Sequence, residues 1–194
     1  MNQTALLEKT IYKRTIGDQL KVCLSVPEFS DELFELTDKN RDFLMQWLPW
    51  LDSIQGPSDT RMFIELQLSR FRKGEAVHQT IFYQDRIAGV LGFNRIDPAN
   101  GIGYLGYWLA REYNGRGIMT RSVRDLITLG FAHLGLQRID IRCAVKNKNS
   151  RAIPERLGFK NEGTIRRAEK VNHAFNDHVI YGLLKEETGG RDKP

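Results

Sequence analysis

Near Gly117 the hydrophobic period of this chain changes, and few folds accommodate the change. Upstream, three apolar-rich stretches, HQTIFYQ, IAGVLGFNRI and GYLGYWLA, read as strands separated only by Asp85-Arg86 and by DPANG. Links that short join strands in antiparallel fashion. From Gly117 onward Met119, Val123, Leu126, Ile127, Gly130 and Leu134 fall three or four residues apart, and Gly135 stands where a helix-ending glycine belongs. A meander that runs through a glycine turn into an amphipathic helix predicts a mixed α/β fold around one sheet.

The flanks extend this pattern. TIYKRTI and LKVCLSV predict two short strands, and after Pro27 the residues Phe29, Leu33, Leu36, Phe43 and Leu44 keep approximate helical spacing, broken at Asn40, toward the bulky QWLPWLD. A second helix is expected from about Ser58, with that serine as its N-cap and Met62, Leu66 and Phe71 on overlapping faces. RIDIRCAV alternates, with Ile139, Ile141, Cys143 and Val145 on one face. A short helix, a bend at Gly158 and a final strand, HVIYGLL, complete the chain. At 194 residues with no repeat or linker, a single domain is expected, ordered over about 10–186 with a short C-terminal tail.

Composition mainly excludes. The net charge of +5 favours anionic partners, but the cations are scattered, so no specific nucleic-acid role is expected. Cys23 and Cys143 are too few for a disulfide framework and read as small apolar residues. His78, His133, His173 and His178 lack metal-ligand spacing, and no metal is expected. No run is apolar enough for a signal peptide or a membrane span, which predicts a cytoplasmic protein with no membrane partner.

Two glycine patterns compete for a phosphate. Gly101, Gly103 and Gly106 match G-x-G-x-x-G, but that motif must open a helix, and YWLA, a strand, follows instead. Gly115 and Gly117 do stand between a strand and a helix, where free N–H groups and the positive end of the helix dipole suit a pyrophosphate. A plain glycine-rich turn explains the local pattern equally well.

Several motifs together carry a resemblance. Tyr107-Trp108-Leu109, Glu112-x-x-Gly115-x-Gly117, Asn147-x-x-Ser150 and Leu157-Gly158-Phe159 resemble the GNAT acyltransferase superfamily, and more narrowly the RimL/RimJ-type acetyltransferases that modify N-terminal amines of ribosomal proteins. The resemblance spans roughly residues 10–185. It implies a GNAT-like fold, a central mixed and mostly antiparallel sheet flanked by helices, with acetyl-CoA as acyl donor. It also implies that main-chain groups of Asn114, Gly115, Arg116, Gly117, Ile118, Met119 and Thr120 grip the pyrophosphate, that Trp108 and Leu109 pair with the pantetheine arm, and that Asn147 holds a pantetheine amide. Asn147 and Asn149 are also ordinary turn formers. Glu112 replaces the Gln or Arg of many members and must point away from the phosphates.

Acetyl transfer needs a neutral amine, an oxyanion site and a proton for the departing thiolate. Deprotonation at pH 7 costs ~1 kcal/mol for an α-amine and ~4.6 kcal/mol for lysine, which favours an N-terminal acceptor. The resemblance places the general base at Glu169, otherwise an ordinary surface carboxylate, with Glu162 as its rival. Ser150 is the candidate acid. Pro154 reads as first-turn proline, which would put Ser150 at the N-cap; it also occupies the place where many relatives carry a tyrosine. A backbone N–H near Leu109 is expected to meet the oxyanion. Trp47 and Trp50 either wall the acceptor site or belong to the core. The acceptor is expected to be a protein N-terminus, with a small amine or a non-catalytic acyl-CoA-binding role as alternatives. The sequence does not fix the oligomeric state; the resemblance is compatible with a homodimer.

Overall fold

In the computed structural model, which describes residues 12–188, the alternating segments become β1 (Lys13–Gly17), β2 (Leu20–Leu24), β3 (Val77–Tyr83), β4 (Arg86–Asp97), β5 (Ile102–Leu109), β6 (Arg138–Ala144), β7 (Lys160–Val171) and β8 (Ala174–Leu184). The helices are α1 (Ser30–Lys39), α2 (Arg41–Leu44), α3 (Pro57–Arg72), α4 (Ile118–His133) and α5 (Lys148–Leu157). The eight strands form one sheet in the order β1-β2-β3-β4-β5-β6-β8-β7, antiparallel throughout except for the parallel pair β5 and β6. This is the expected mixed, mostly antiparallel sheet flanked by helices. The start of the TIYKRTI stretch and most of the expected C-terminal tail lie outside the described residues. Among the described residues no helix is long and apolar enough to cross a membrane.

The alternation of each strand sorts side chains between two cores. On one face Leu91, Phe93, Leu105 and Leu109 meet Ile118, Val123, Leu126 and Ile127 of α4. On the other, Val90 and Trp108 meet Leu33, Leu44, Leu51 and Ile64 from the α1–α3 side. Fully burying one such side chain contributes about 1.5–3 kcal/mol, so both helical layers are anchored by packing rather than by helix propensity.

Four local expectations give way. The N-cap of α3 is Gly56, not Ser58: Pro57 takes the first helical position, and Asp59 Oδ2 accepts the Gly56 N–H at 2.9 Å. Its buried face carries Thr60, Ile64 and Gln67, whereas Met62 and Leu66 are exposed and of the expected set only Phe71 packs inward. Val145 lies beyond the end of β6 and is exposed. The largest omission is β7, an almost fully exposed edge strand studded with charge. It has no apolar alternation to detect, because an edge strand of this kind is kept soluble by its charges.

Candidate active site

The parallel pairing of β5 with β6 runs only from Ile102 opposite Arg138 to Leu105 opposite Ile141. Beyond Leu105 the two strands separate, and the edge of β5 faces a gap. The main-chain N–H of Ala110 bonds Ala88 O at 2.9 Å, so the next pair, Gly89 with Leu109, is a non-bonded one. Leu109 therefore turns its N–H and C=O into the gap, while Trp108 turns its main chain toward β4. The pantetheine pairing expected of both residues is therefore open to Leu109 alone, because the main chain of Trp108 is engaged with β4 and its side chain is buried in the core on the α1–α3 side.

At the end of β5 the chain turns through Gly115 and Gly117 into α4. Both glycines have positive φ, 77° and 69°, and a Cβ at either would meet nothing within 4 Å, so the backbone here is bare. Gly117 is the N-cap of α4 and no side chain caps the helix. The amides of Gly115, Arg116, Gly117, Ile118, Met119 and Thr120 donate to no acceptor among the described residues. Asn114 differs from the expectation, because its N–H is already bonded to Arg111 O at 3.2 Å, so the uncommitted run begins at Gly115. Glu112 is drawn toward α1 by Lys39, whose Nζ donates to Glu112 Oε1 at 2.9 Å; that hydrogen bond holds the carboxyl below its usual range. The acid thus points to a lysine rather than into the loop. Asn40, which broke the helical spacing, ends α1 and accepts the Arg111 N–H on Oδ1 at 2.9 Å, tying the loop to the opposite helical layer.

On the far side of the gap stands α5. Its N-cap is Asn147, whose Oδ1 accepts the Ser150 N–H at 3.1 Å, and Ser150 sits inside the first turn rather than at the cap. Pro154 lies in the helix interior, not the first turn. Having no N–H, it leaves the Ser150 carbonyl without its intrahelical donor. The Tyr107 hydroxyl supplies one, donating to Ser150 O at 2.9 Å, which explains how the proline is tolerated. Ser150 Oγ lies 3.2 Å from Cys143 Sγ and 3.5 Å from the Tyr107 oxygen. Burial raises the Cys143 thiol and pushes the Tyr107 phenol well above its ordinary value, so both neighbours of Ser150 keep their protons.

A cleft of about 1000 Å³ joins these parts: Trp108, Met119, Ser150 and Glu169 all line it. Glu169 lies on β7, with Oε2 3.5 Å from His178 Nε2 on β8. Its rival Glu162 is bound by Arg138 and does not line the cleft. Trp47 and Trp50 line it too, Trp50 being 41% exposed, so the latter is a wall rather than core. Their segment is clamped by Arg41, whose guanidinium donates to Leu51 O at 2.9 Å and to Ile54 O at 2.7 Å. Gly103 and Gly106, by contrast, have a packing reason: a Cβ would come within 2.6 Å of Leu136 Cδ1 and 2.3 Å of Asn94 Nδ2 respectively.

A strand edge opened by a splay, leading to bare amides at a helix N-terminus, suits an extended ligand with an anionic head. Residues 21–160 match the Acetyltransferase (GNAT) domain family, and the chain belongs to that family. It is a GNAT acetyltransferase, an acetyl-CoA-dependent N-acetyltransferase of the ribosomal-protein group typified by RimL and RimJ. It is 34% identical over 179 residues to the putative ribosomal N-acetyltransferase YdaF of Bacillus subtilis (strain 168), covering 90% of this chain and 96% of that one. The structure of RimL, a ribosomal L7/L12 alpha-N-protein acetyltransferase in complex with coenzyme A, matches with a TM-score of 0.85 at 31% identity, over 88% of this chain and 96% of that one. The microcin C7 self-immunity acetyltransferase MccE, solved with acetyl-CoA and AMP, matches with a TM-score of 0.83 at 32% identity, over 87% of this chain and 94% of that one.

Proposed function

We propose that residues 10–186 act as one cytoplasmic acetyltransferase domain that moves the acetyl group of acetyl-CoA to the N-terminal α-amine of a ribosomal or other protein. The observation that carries the reading is the single cleft shared by Trp108, Met119, Ser150 and Glu169. The amides from Gly115 to Thr120 receive the diphosphate, Leu109 offers main-chain groups to the pantetheine arm and the oxyanion, and the Asn147 side-chain N–H2 is free to meet a pantetheine amide while its oxygen caps α5. In a ternary complex the neutral amine attacks the thioester carbon directly. Glu169 takes the amine proton, itself or through water, and later releases it to solvent; the C–S bond breaks as the C–N bond forms, and Ser150 relays a proton to the leaving sulfur, its own hydroxyl proton being replaced from water in the cleft.

The charge of the cleft favours the peptide acceptor over a polycationic small amine. Arg70, Arg142, Lys146 and Lys148 line it, whereas of its acids Asp140 is engaged by Arg138 Nε at 2.6 Å, leaving Glu169 beside His178. An acceptor with several ammonium groups would be repelled. A small-amine acceptor is the second reading, since the likeness to an acetyltransferase named for self-immunity to microcin C7 shows that relatives outside the ribosomal-protein group share this fold. Isotopically labelled acetyl-CoA, offered with a panel of N-terminal peptides and small amines and followed by mass spectrometry, separates the two. The proposal expects the label on peptide α-amines; label confined to small amines, or coenzyme binding with no acetylated amine, overturns it. General acid–base groups contribute about 10²–10⁴-fold, so Glu169→Gln and Ser150→Ala should each lower kcat in that range while leaving coenzyme binding intact.

A further inference from the structure

Glu169 belongs to an exposed edge strand, and the ladder between β7 and β8 sets where its carboxylate stands. Ile165 pairs with His178 and Glu169 pairs with Asn176, so three residues of β7, Arg166 to Ala168, stand opposite Asp177 alone. In a regular ladder starting from the same pair, Glu169 would stand opposite Ala174. The bulge moves it two places back along β8, about 7 Å, without changing the face it occupies. Glu169, Asn176 and His178 thereby share one face, with the acid diagonal to the imidazole.

The bulge is fixed from within. Arg167, at φ 52°, donates its N–H to Asp177 Oδ1 at 2.7 Å, so the residue facing the bulge also caps it. The cations nearest in sequence are occupied elsewhere: the Arg167 guanidinium stacks on the Phe175 ring at 4.4 Å, and the Lys170 ammonium stands 6.0 Å from the same ring. Among the described residues the ion-pair partner of Glu169 is His178, with Nε2 3.5 Å from Oε2 on an imidazole whose side chain is 13% exposed. The ring is packed, the carboxylate is half-open to the cleft, and both line it.

We infer that His178 is the positioning residue of the acetyl-transfer reaction, holding Glu169 through its Nε2 so that one carboxylate oxygen is presented to the incoming amine. This rests on the assignment of Glu169 as base. The 3.5 Å approach is an ion-pair distance that falls short of hydrogen-bond geometry; catalytic contacts that are long or poorly aligned in the free enzyme commonly tighten in the reactive complex, and a carboxylate displaced by an ångström can cost on the order of 10²-fold in rate.

The contacting atom decides the test. In the full chain, with acetyl-CoA and a synthetic peptide bearing an N-terminal serine, kcat and both KM values are measured for wild type, Glu169→Gln, His178→Gln, His178→Asn and His178→Leu. Gln places an amide nitrogen near the position of Nε2, whereas Asn reaches only as far as Nδ1 and Leu has no donor. The inference expects His178→Gln within about threefold of wild-type kcat, and Asn and Leu variants lower by roughly 10–100-fold, with the KM for acetyl-CoA unchanged in all three. A general loss of packing would instead make Gln as poor as Leu or raise the KM for acetyl-CoA, and either result overturns it. If Glu169→Gln is slow but all three His178 variants match wild type, the inference alone falls. If Glu169→Gln is as fast as wild type, or wild type is silent toward the peptide, the base assignment fails and the inference with it.

Discussion

His78 shows how far one side chain can be moved from its solution behaviour. It lies in β3 with 8% exposure, its Nδ1 is 2.9 Å from Ser25 Oγ, and Phe63 packs edge-on at 5.0 Å between ring centroids. Burial lowers its pKa from the ordinary 6.5 to about 4. Since the folded value lies below the unfolded one, the unfolded chain binds the extra proton, and stability rises with pH across the interval between them. The contribution is fully present above the unfolded value near 6.5 and is lost as pH falls toward about 4. Its size is about 3 kcal/mol, from ~1.4 kcal/mol for each pH unit of separation. Urea titrations at intervals from pH 7 to 4 should show the wild-type midpoint falling, and the fall should be shallower in His78→Gln, which has no imidazole to charge. Equal slopes for the two proteins would mean that His78 keeps its proton in the fold. None of this was legible in the sequence, where His78 was a polar letter in an apolar strand. Ser150 and Glu169 were legible only through the family resemblance; as bare letters they read as a serine near a helix start and a surface acid.

At the scale of elements, α5 joins a sequence oddity to a tertiary contact. Pro154 withdraws a donor from the Ser150 carbonyl, and Tyr107, on a different element, replaces it at 2.9 Å. Tyr107→Phe leaves that carbonyl unpaired and should cost about 1–3 kcal/mol. Adding Pro154→Ala supplies a main-chain N–H four residues after Ser150, so the double variant should recover part of the loss in thermal unfolding. Additive losses would show that the tyrosine serves α5 in some other way. The turn into α4 makes a second case. Gly117→Ala meets no protein atom, so its cost to folding should be the left-handed backbone alone, about 1–2 kcal/mol. Its methyl would stand beside the bare amides, and coenzyme A affinity measured by calorimetry should fall by more than the folding penalty explains. The sequence announced this turn because glycine has a backbone meaning. It did not announce β7, whose twelve residues are exposed but for a few positions. Nor could it reveal the bulge that carries Glu169, since that depends on the register of β8 rather than on any local signal.

For the whole molecule the decisive feature is that its sheet is continuous at one end and divided at the other. Strands β1 to β5 form one part and β6, β8 and β7 the second, and their direct pairing stops at Leu105 and Ile141. Across the open end few ties are visible; one is Asn172 Nδ2, at the tip between β7 and β8, donating to Met45 O at 3.0 Å. A coenzyme lying in the gap would engage the main chain of β5 on one side and α5 on the other, so its binding free energy should appear as cohesion between the two parts. With coenzyme A at about one hundred times its Kd, linkage adds ~2.7 kcal/mol to the folded state. For a chain of this length that amounts to a rise in Tm of roughly 5–11 °C. The distribution of the effect is more telling than its size. Amide exchange should slow at Leu109 and through Gly115 to Thr120, and also at the start of α5, where the Asn147 side chain caps the Ser150 N–H. Protection confined to the glycine turn would show that the ligand is held by its phosphates alone and that the divided end of the sheet stays open. Protection on both sides would show the acyl carrier completing the sheet, its arm bridging the β5 edge and the start of α5.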